Sequence, residues 1–123
     1  MDVLGKMGLA GVADSRVIDL PYGQQKLVGV ARALAGSPSC LLLDEPAAGL
    51  DTGESAELGR RLHAIARRGT AVLLVDHDMD LVLEVCCHIY VLDFGRVIAA
   101  GSPSAIRCDD RVIGAYLGSA VAA

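Results

Sequence analysis

The sequence predicts an α/β fold built on a mostly parallel sheet flanked by helices. Residues 40–43 and 71–75 form two continuous apolar runs, and each run ends in acidic residues and is followed by a helical pattern. Strands buried on both faces of a parallel sheet have this character, and repeated strand–helix units favour parallel pairing. With 123 residues, the chain is in the size range of a single domain.

Two longer helices are predicted by apolar residues at helical spacing. The first covers residues 23–35, because the pattern stops at the Gly-Ser-Pro sequence after it. The second begins at Asp51 or Thr52, either of which suits an N-cap, and is terminated by Gly69. Their predicted buried faces consist of Leu27, Val30, Ala31, Leu34, Leu58, Leu62 and Ile65.

The rest of the chain predicts short elements. An amphipathic helix with Met79, Val82 and Leu83 on its apolar face follows the second strand. Residues 89–92 and 97–100 flank a glycine-containing turn and predict an antiparallel hairpin. In the tail, Ser102-Pro103 suits the start of one short helix, and Asp109 or Asp110 suits the cap of another.

Composition disfavours several classes of protein. The 11 basic and 15 acidic residues give a net charge of -4 without a basic block, which argues against nucleic acid as the main partner. No apolar stretch reaches the roughly 18 residues of a membrane span. Residues 1–16 lack the basic start and apolar run of a secretion signal. We therefore expect a cytoplasmic protein.

The four cysteines are predicted to be reduced thiols rather than a disulfide framework. Cys86 and Cys87 are adjacent, and Cys40 lies inside an apolar run. The sequence Cys86-Cys87-His88 also lacks the spacer with which neighbouring ligands close on one zinc ion. An apolar helix end is the preferred interpretation of this cluster.

The acidic residues after the first strand are the main candidates for chemistry. Asp44 directly follows four apolar residues, so a rigid strand would hold its carboxylate, as a magnesium ligand in nucleotide hydrolysis requires. Pro46 is expected to keep the chain at Glu45 extended as it leaves the sheet. A fixed carboxylate at Glu45 could polarise an attacking water. The alternative is that both acids merely end a strand and cap the next segment.

Four motifs then occur in a fixed order. They are Leu-Pro-Tyr-Gly-Gln-Gln at 20–25, Leu-Leu-Leu-Asp-Glu-Pro at 41–46, Gly-Leu-Asp at 49–51, and His77. In this order and at about these separations, they resemble the signature loop, Walker B strand, D-loop and switch histidine of ABC ATPases. The resemblance implies the C-terminal part of a P-loop NTPase domain, with a signature-helix segment at its N-terminus, a short helical tail, and ATP and Mg²⁺ as cofactors.

The resemblance also implies roles for the matching positions. Asp44 would hold Mg²⁺ through water, Glu45 would be the general base, His77 would touch the γ-phosphate, and Asp51 would contact the partner subunit. The loop that closes over nucleotide held by that subunit would consist of Leu20, Pro21, Tyr22, Gly23 and Gln24. A glycine at a helix start also lets a phosphate approach the backbone, and the helix dipole favours the anion.

The signature loop (residues 20–25) departs from the commoner Leu-Ser-Gly-Gly-Gln, because Pro21 replaces the serine and Tyr22 a glycine. Pro21 has neither a hydroxyl nor a backbone donor for phosphate. Together with residues 44–50 and 110–118, this variant is similar to the ATP-binding subunits of branched-chain amino acid importers. The similarity implies a cytoplasmic subunit on the inner face of the membrane, in a homo- or heterodimer with a second ATPase subunit, and docked on transmembrane permeases.

No glycine-rich turn ending in Gly-Lys-Ser or Gly-Lys-Thr is present, although a phosphate-binding loop needs one. We therefore expect the missing N-terminal half of the domain to supply that loop and the adenine-stacking aromatic. This chain alone is expected to be inactive. Because parallel strands need neighbours, we also expect it to expose apolar sheet surface and to associate or be marginally stable.

Three regions are predicted: the signature loop and helix in 1–38, the Walker B to switch-histidine core in 39–101, and the helical tail in 102–123. The predicted function is coupling of ATP hydrolysis to uptake of branched-chain amino acids or related solutes. One alternative is a truncated interaction protein that pairs with complete ABC ATPase subunits. Another is a fragment of a non-transport ABC ATPase, which would be expected to show a coiled-coil insertion or a second ATPase unit.

Overall fold

The computed structural model describes residues 2–117, which divide into two compact units. The first unit ends at Asp76 and the second begins at His77. The three regions expected from the motifs have other boundaries, and they stay a prediction. Position 1 and positions 118–123 of those regions, including the last residue of the tail motif, lie outside the described residues.

Helices and two paired strands alternate in the first unit. Its elements are α1 (Val3–Lys6), α2 (Tyr22–Ala35), β1 (Cys40–Asp44), α3 (Thr52–Arg67) and β2 (Ala71–Val75), with 3₁₀ turns at Ala10–Val12 and Val17–Asp19. The residues of this unit that are almost inaccessible to solvent are Met7, Leu9, Leu58 and Leu62. The apolar core of the unit therefore involves the opening segment as well as the long helices.

Helix α2 confirms the first predicted helix and begins one residue earlier, at Tyr22. Its N-cap is Pro21, and its C-cap is Gly36, where the predicted terminating sequence starts. Leu27, Val30 and Ala31 are buried on one face, as the spacing predicted, whereas Leu34 is only half-buried. Local sequence signals thus determine both the extent and the orientation of this helix.

Helix α3 confirms the second predicted helix, and the structure identifies its cap as Asp51. The Asp51 carboxylate accepts a hydrogen bond of 2.8 Å from the Glu54 N–H, and the Glu54 carboxylate accepts one of 3.0 Å from the Asp51 N–H. This reciprocal capping box satisfies two N–H groups that a helix start otherwise leaves unpaired. The helix ends at Arg67, just before Gly69, which has a φ of 101°. The predicted buried residues Leu58, Leu62 and Ile65 are all buried.

Strands β1 and β2 pair in parallel, as predicted, with Cys40 opposite Ala71 and Asp44 opposite Val75. The prediction that these strands are buried on both faces is wrong for this structure. Leu41 is 3% exposed, but its neighbour Leu42 is 70% exposed and Leu73 is 59% exposed. The reason is that, within residues 2–117, the sheet has two strands and one covered face.

The second unit contains the predicted short elements. They are α4 (Met79–Val85), β3 (Ile89–Asp93), β4 (Arg96–Gly101), α5 (Pro103–Arg107), α6 (Asp110–Val112) and a π-helical turn at Ile113–Leu117. Strands β3 and β4 form the predicted antiparallel hairpin, with an irregularity between Val91 and Leu92. Phe94 and Gly95 at the turn have φ values of 47° and 77°. Two consecutive positive φ angles are typical of a type I′ turn, whose twist suits paired strands.

Capping residues define the tail elements. Ser102 caps α5 with Pro103 in its first turn, and Asp109, rather than Asp110, caps α6. The Tyr116 hydroxyl donates a hydrogen bond to the carbonyl oxygen of Leu92, which ties the tail to the hairpin. None of the helices within residues 2–117 has the length and apolar character needed to cross a bilayer.

The adjacent cysteines lie at the end of α4, as the helix-end interpretation predicted. Cys86 is the C-cap of α4, and both Cys86 and Cys87 are free thiols. Burial raises the pKa of the Cys86 thiol, with a smaller contribution from neighbouring Cys87. A half-buried thiol with a raised pKa is a poor nucleophile, so Cys86 is not a candidate for chemistry.

Candidate functional site

The carboxyl end of β1 carries two consecutive acidic residues. Asp44 is the last residue of the strand, and both Asp44 and Glu45 have exposed side chains. Because β2 runs parallel to β1, its carboxyl end lies at the same edge of the sheet. Ligands of open α/β sheets bind outside this edge, so the structure brings these carboxylates to a position suited to ligand binding.

The backbone at Glu45 is not extended, and the prediction based on Pro46 is wrong in this respect. Glu45 has a φ of 48°, in the left-handed region. Its N–H donates to the Val75 carbonyl oxygen at 2.6 Å, and its own carbonyl accepts from the Ala48 N–H at 3.1 Å. The left-handed conformation costs a non-glycine residue about 1 kcal/mol, and these hydrogen bonds hold Glu45 in it.

Asp76 belongs to the same edge of the sheet, where the sequence pattern places it among the polar residues after the second strand without giving it a role of its own. Its carboxylate accepts a hydrogen bond of 3.2 Å from the Ala47 N–H. Asp76 thereby fixes the turn that comes immediately after Glu45. The parallel register is the signal that could have identified this role of Asp76. Because Asp44 pairs with Val75, Asp76 comes close to the residues that follow Asp44.

His77 is exposed and is the first residue of the second unit, whereas Asp44 and Glu45 lie in the first. It directly precedes Asp78, the N-cap of α4, whose carboxylate accepts a hydrogen bond of 3.2 Å from the Leu81 N–H. His77 therefore lies in the chain directly before the capped start of α4. Its proposed contact with a phosphate stays a prediction.

The signature loop leads directly into α2. Leu20 has extended backbone angles, and its carbonyl oxygen accepts a hydrogen bond of 3.0 Å from the Gln25 side chain. Pro21 is the N-cap of α2, and its side chain makes no hydrogen bond to the N–H groups of the first turn. Gln24 is half-buried on the first turn of the helix.

Gly23 lies against α3. A Cβ atom on Gly23 would be 3.1 Å from the Cδ atom of Glu54, which is tighter than an ordinary contact. Glu54 is also the partner of Asp51 in the capping box. The glycine at this position thus permits close packing between the starts of α2 and α3, in addition to the phosphate approach expected from the sequence.

Tyr22 lies against the loop that carries Asp51. A Cβ atom on Gly49 would be 2.8 Å from the Cε1 atom of Tyr22, and Gly49 has a φ of 79°. The Lys26 ammonium is 5.3 Å from the centroid of the Tyr22 ring, within the range of a cation–π interaction. The structure therefore brings the signature loop and residues 47–51, here named the Asp51 loop, into direct contact.

Asp44 has the donor chemistry that a magnesium ion requires. Its carboxylate is exposed at the end of a rigid strand, and hard cations such as Mg²⁺ prefer oxygen ligands. Within residues 2–117, no three His, Cys, Asp or Glu side chains converge as a metal cage. Mg²⁺ in nucleotide sites is usually held by one or two carboxylates together with phosphate and water, so the residues present fit this ion.

Two family models match different parts of the chain. The model described as ABC transporter matches residues 1–48, which include the signature loop and β1. The model described as branched-chain amino acid ATP-binding cassette transporter matches residues 96–122, which include β4 and the tail. The matches therefore cover both ends of the chain and independently agree with the motifs.

Curated relatives are similar along almost the whole chain. The high-affinity branched-chain amino acid transport ATP-binding protein LivG of Escherichia coli strain K12 is 40% identical over 118 residues, which are 95% of this chain and 46% of LivG. The lipopolysaccharide export system ATP-binding protein LptB of Acidithiobacillus ferridurans is 39% identical, over 94% of this chain and 48% of LptB. The chain thus spans about half the length of these relatives.

Solved structures share the fold. An ATP-binding cassette of an ABC transporter in its ADP conformation superposes with a TM-score of 0.84 and 30% identity, covering 94% of this chain and 47% of the other. CbiO1 from Clostridium perfringens, part of the ABC transporter complex cbiONQ, has a TM-score of 0.82 and 32% identity, covering 93% of this chain and 46% of the other.

These findings define the class of the molecule: its fold is that of the C-terminal part of an ABC ATPase domain. Among such domains, the sequence is similar to ATP-binding subunits of branched-chain amino acid ABC transporters. The fold class and the resemblance predicted from the four ordered motifs are confirmed.

Proposed function

We propose that this chain is part of an ATP-binding subunit of an ABC importer, in which ATP hydrolysis drives uptake of branched-chain amino acids or related solutes. The observation that carries the proposal is the pair of exposed carboxylates, Asp44 and Glu45, at the carboxyl end of a parallel strand. Similarity to LivG and the match of residues 96–122 to a branched-chain amino acid family model favour this solute class.

In this proposal, Asp44 holds Mg²⁺ through water. When bound, the ion supplies neutralisation of the negative charge that develops on the phosphate oxygens. Glu45 accepts a proton from the attacking water, and the fixed turn after β1 orients its carboxylate. His77 is proposed, from the resemblance, to contact the transferred phosphate. Each of these residues contributes positioning or charge, which are the main requirements of phosphoryl transfer.

We further propose that the complete protein is cytoplasmic and peripheral to the inner face of the membrane. The signature loop would close over ATP held by a second ATPase subunit, in a homo- or heterodimer, while transmembrane permease subunits hold both ATPase subunits. The N–H groups at the start of α2 receive no capping hydrogen bond from the Pro21 side chain, and they suit a phosphate because the positive end of the helix dipole points there. The N-terminal half that supplies the phosphate-binding loop is expected to complete the domain.

The general-base role can be tested with Glu45→Gln in a complete ATPase domain that contains this chain. The substitution keeps the size of the side chain and removes its ability to accept a proton from water. We expect ATP turnover to fall by about a hundredfold or more, since a positioned acid or base typically contributes 10²–10⁴-fold. Binding of ATP should persist.

A matched control is Glu84→Gln, which makes the same chemical change at an exposed position on α4. We expect this control to retain wild-type turnover. If Glu45→Gln also retained wild-type turnover, Glu45 could not be the general base.

A second candidate function concerns the transported solute. LptB proteins, whose names assign them to lipopolysaccharide export, are 39% and 32% identical to this chain over nearly all of it. The two candidates, import of branched-chain amino acids and export of lipopolysaccharide, can be separated by measuring uptake of labelled leucine. The measurement compares cells that have the complete gene with cells in which it is deleted. Import requires that deletion lowers uptake, whereas unchanged uptake together with an outer-membrane defect would favour export.

A third candidate is an interaction protein that pairs with complete ABC ATPase subunits and does not hydrolyse ATP. The exposed apolar side chains of Leu42 and Leu73 on the sheet favour this possibility, because such patches bind other protein surfaces. Equilibrium binding of labelled ATP to this chain tests it. Tight one-to-one binding would contradict this candidate, whereas weak or absent binding would agree with it.

A further inference from the structure

The contact between Tyr22 and Gly49 leaves no room for a Cβ atom at Gly49 unless the Tyr22 ring shifts. The ring atom Cε1 would be 2.8 Å from a Cβ atom at Gly49, and the phenol oxygen would be 3.6 Å from it. Gly49 also has a φ of 79°, a conformation that residues with a Cβ rarely adopt. Space and backbone conformation therefore both require glycine opposite the Tyr22 ring.

A second contact joins the same two segments one residue further along. Gly23 lies against the Glu54 side chain, and the Glu54 carboxylate is hydrogen-bonded to the Asp51 N–H at 3.0 Å. The start of α2 thus contacts the middle of the Asp51 loop at Gly49, and it contacts the Glu54 side chain that caps Asp51 at the end of the loop. A displacement of α2 would disturb the Asp51 loop at both points.

The Tyr22 ring is held in place from its own helix. Lys26 lies one turn further along α2, and its ammonium is 5.3 Å from the ring centroid. Residues four apart in a helix are neighbours, and a cation over a tyrosine face contributes roughly 0.5–1 kcal/mol at exposed sites. Tyr22 is still 48% exposed, so its ring packs at the surface of the protein between α2 and the Asp51 loop.

We infer that Tyr22 is a positioning residue that couples the signature loop to the Asp51 loop. This inference rests on the proposed function, in which nucleotide contacts the signature loop and Asp51 faces the partner subunit. An effect of phosphate binding at the start of α2 would be transmitted to Asp51 through two contacts within the first unit. One contact is between Tyr22 and Gly49, and the other is between Gly23 and Glu54. A glycine at position 22, as in the commoner signature loop, would leave Gly49 without the first of these contacts.

The coupling can be tested on this chain without nucleotide, by hydrogen exchange of two backbone amides. The Leu50 N–H donates to the Ala47 carbonyl oxygen at 3.0 Å, and the Glu54 N–H donates to Asp51 at 2.8 Å, so both report on the Asp51 loop. We expect Tyr22→Ala to raise their exchange rates by roughly threefold to tenfold, because local opening becomes easier without the packed ring. Tyr22→Phe should keep the wild-type rates.

A matched control is Tyr90→Ala, which removes an exposed tyrosine from β3 in the second unit. It should leave the Leu50 and Glu54 amides unchanged. Unchanged exchange of both amides in Tyr22→Ala would overturn the inference. It would also be overturned if Tyr22→Phe were as disruptive as Tyr22→Ala, because the ring rather than the hydroxyl makes the contact with Gly49.

The functional consequence is measured separately, in a complete ATPase domain that contains this chain. We expect Tyr22→Ala to lower kcat by about tenfold with less than about a twofold change in KM for ATP, and Tyr22→Phe to restore kcat. If exchange changes as expected but the wild-type domain has no ATP turnover, the proposed function fails while the coupling stands. If turnover is present but exchange does not change, the coupling fails and the proposed function stands.

Discussion

The backbone N–H of Glu45 donates to the carbonyl oxygen of Val75, with the two atoms 2.6 Å apart. This bond continues the parallel ladder one residue beyond Asp44, although Glu45 already has a left-handed φ of 48°. The chain therefore turns sharply while it is still attached to β2. As a result, Asp44 has the backbone conformation of a strand whereas Glu45 has a left-handed one. This difference suits the different roles proposed for their side chains.

Asp76 is expected to hold the turn after Glu45. Replacing it by alanine removes the acceptor that lies 3.2 Å from the Ala47 N–H, so this amide should exchange with solvent roughly threefold to tenfold faster. Hydrogen exchange followed by NMR measures the rate. Asp76→Asn keeps an oxygen acceptor and should stay near the wild-type rate. Equal rates in the alanine variant and the wild type would show that other contacts hold the turn.

Phe94 is expected to reduce the stability of the hairpin between β3 and β4. Its side chain is 99% exposed, and its φ of 47° is unfavourable for a residue with a bulky side chain. Phe94→Asn would place an Asn-Gly pair in the turn and should raise the free energy of unfolding by about 1 kcal/mol. Urea unfolding measures this change.

The control for this prediction is Phe94→Val, which is equally unable to form a good type I′ turn because valine is β-branched. It should be no more stable than the wild type. A stabilisation of similar size in both variants would mean that loss of the exposed aromatic ring, and not the turn conformation, is responsible.

The open face of the two-stranded sheet is expected to make this chain associate. Leu42 and Leu73 are 70% and 59% exposed and pair directly across the strands. Exposed apolar patches of this kind mark surfaces that bind other protein surfaces. Leu42→Lys with Leu73→Lys should lower the apparent mass measured by light scattering.

Ala10→Lys adds a positive charge at an exposed position away from the strands and should leave association unchanged. A wild-type chain that is monomeric and melts cooperatively would contradict the prediction of association. The same mass for the wild type and the double variant would show that another surface causes it.

Glu57 is expected to make stability dependent on pH at the acidic end. Its carboxylate is 2.7 Å from nitrogen atoms of both Arg60 and Arg61. The hydrogen bond from Arg60 is the main cause that holds the pKa of Glu57 below its ordinary value of 4.5, and Arg61 adds to it. A lowered pKa in the folded state stabilises the fold above about pH 4.5, and this contribution is lost as the pH falls through the lowered pKa.

The measurement compares the free energy of unfolding of the wild type and Glu57→Gln between about pH 6 and about pH 3. The wild type should be more stable by less than about 1 kcal/mol near pH 6, because the side chains are partly solvated, and the difference should shrink on acidification. Adding about 1 M salt should also reduce the difference. A difference that grows as the pH falls would contradict the assignment.

Much of this fold is determined by local sequence signals. The ends of α2 and α3, a cap at Asp51 or Thr52 and the hairpin turn are predictable because apolar spacing, capping residues and turn residues act within a few positions of each other. The carboxyl-end position of Asp44 and Glu45 was predictable for the same reason. The order of four short motifs was sufficient to indicate the family, since their joint occurrence is far less probable by chance than any one of them.

Features that depend on distant parts of the chain were not predictable in this way. Pro46 restricts the local conformation, but the left-handed backbone of Glu45 is held by a hydrogen bond to Val75, which is far away in sequence. The contact of Tyr22 with Gly49 and the bond from Ala47 to Asp76 likewise require β1, β2 and the two long helices to be in place. Residue type and spacing specify which groups are available, whereas packing between distant segments determines which of them meet.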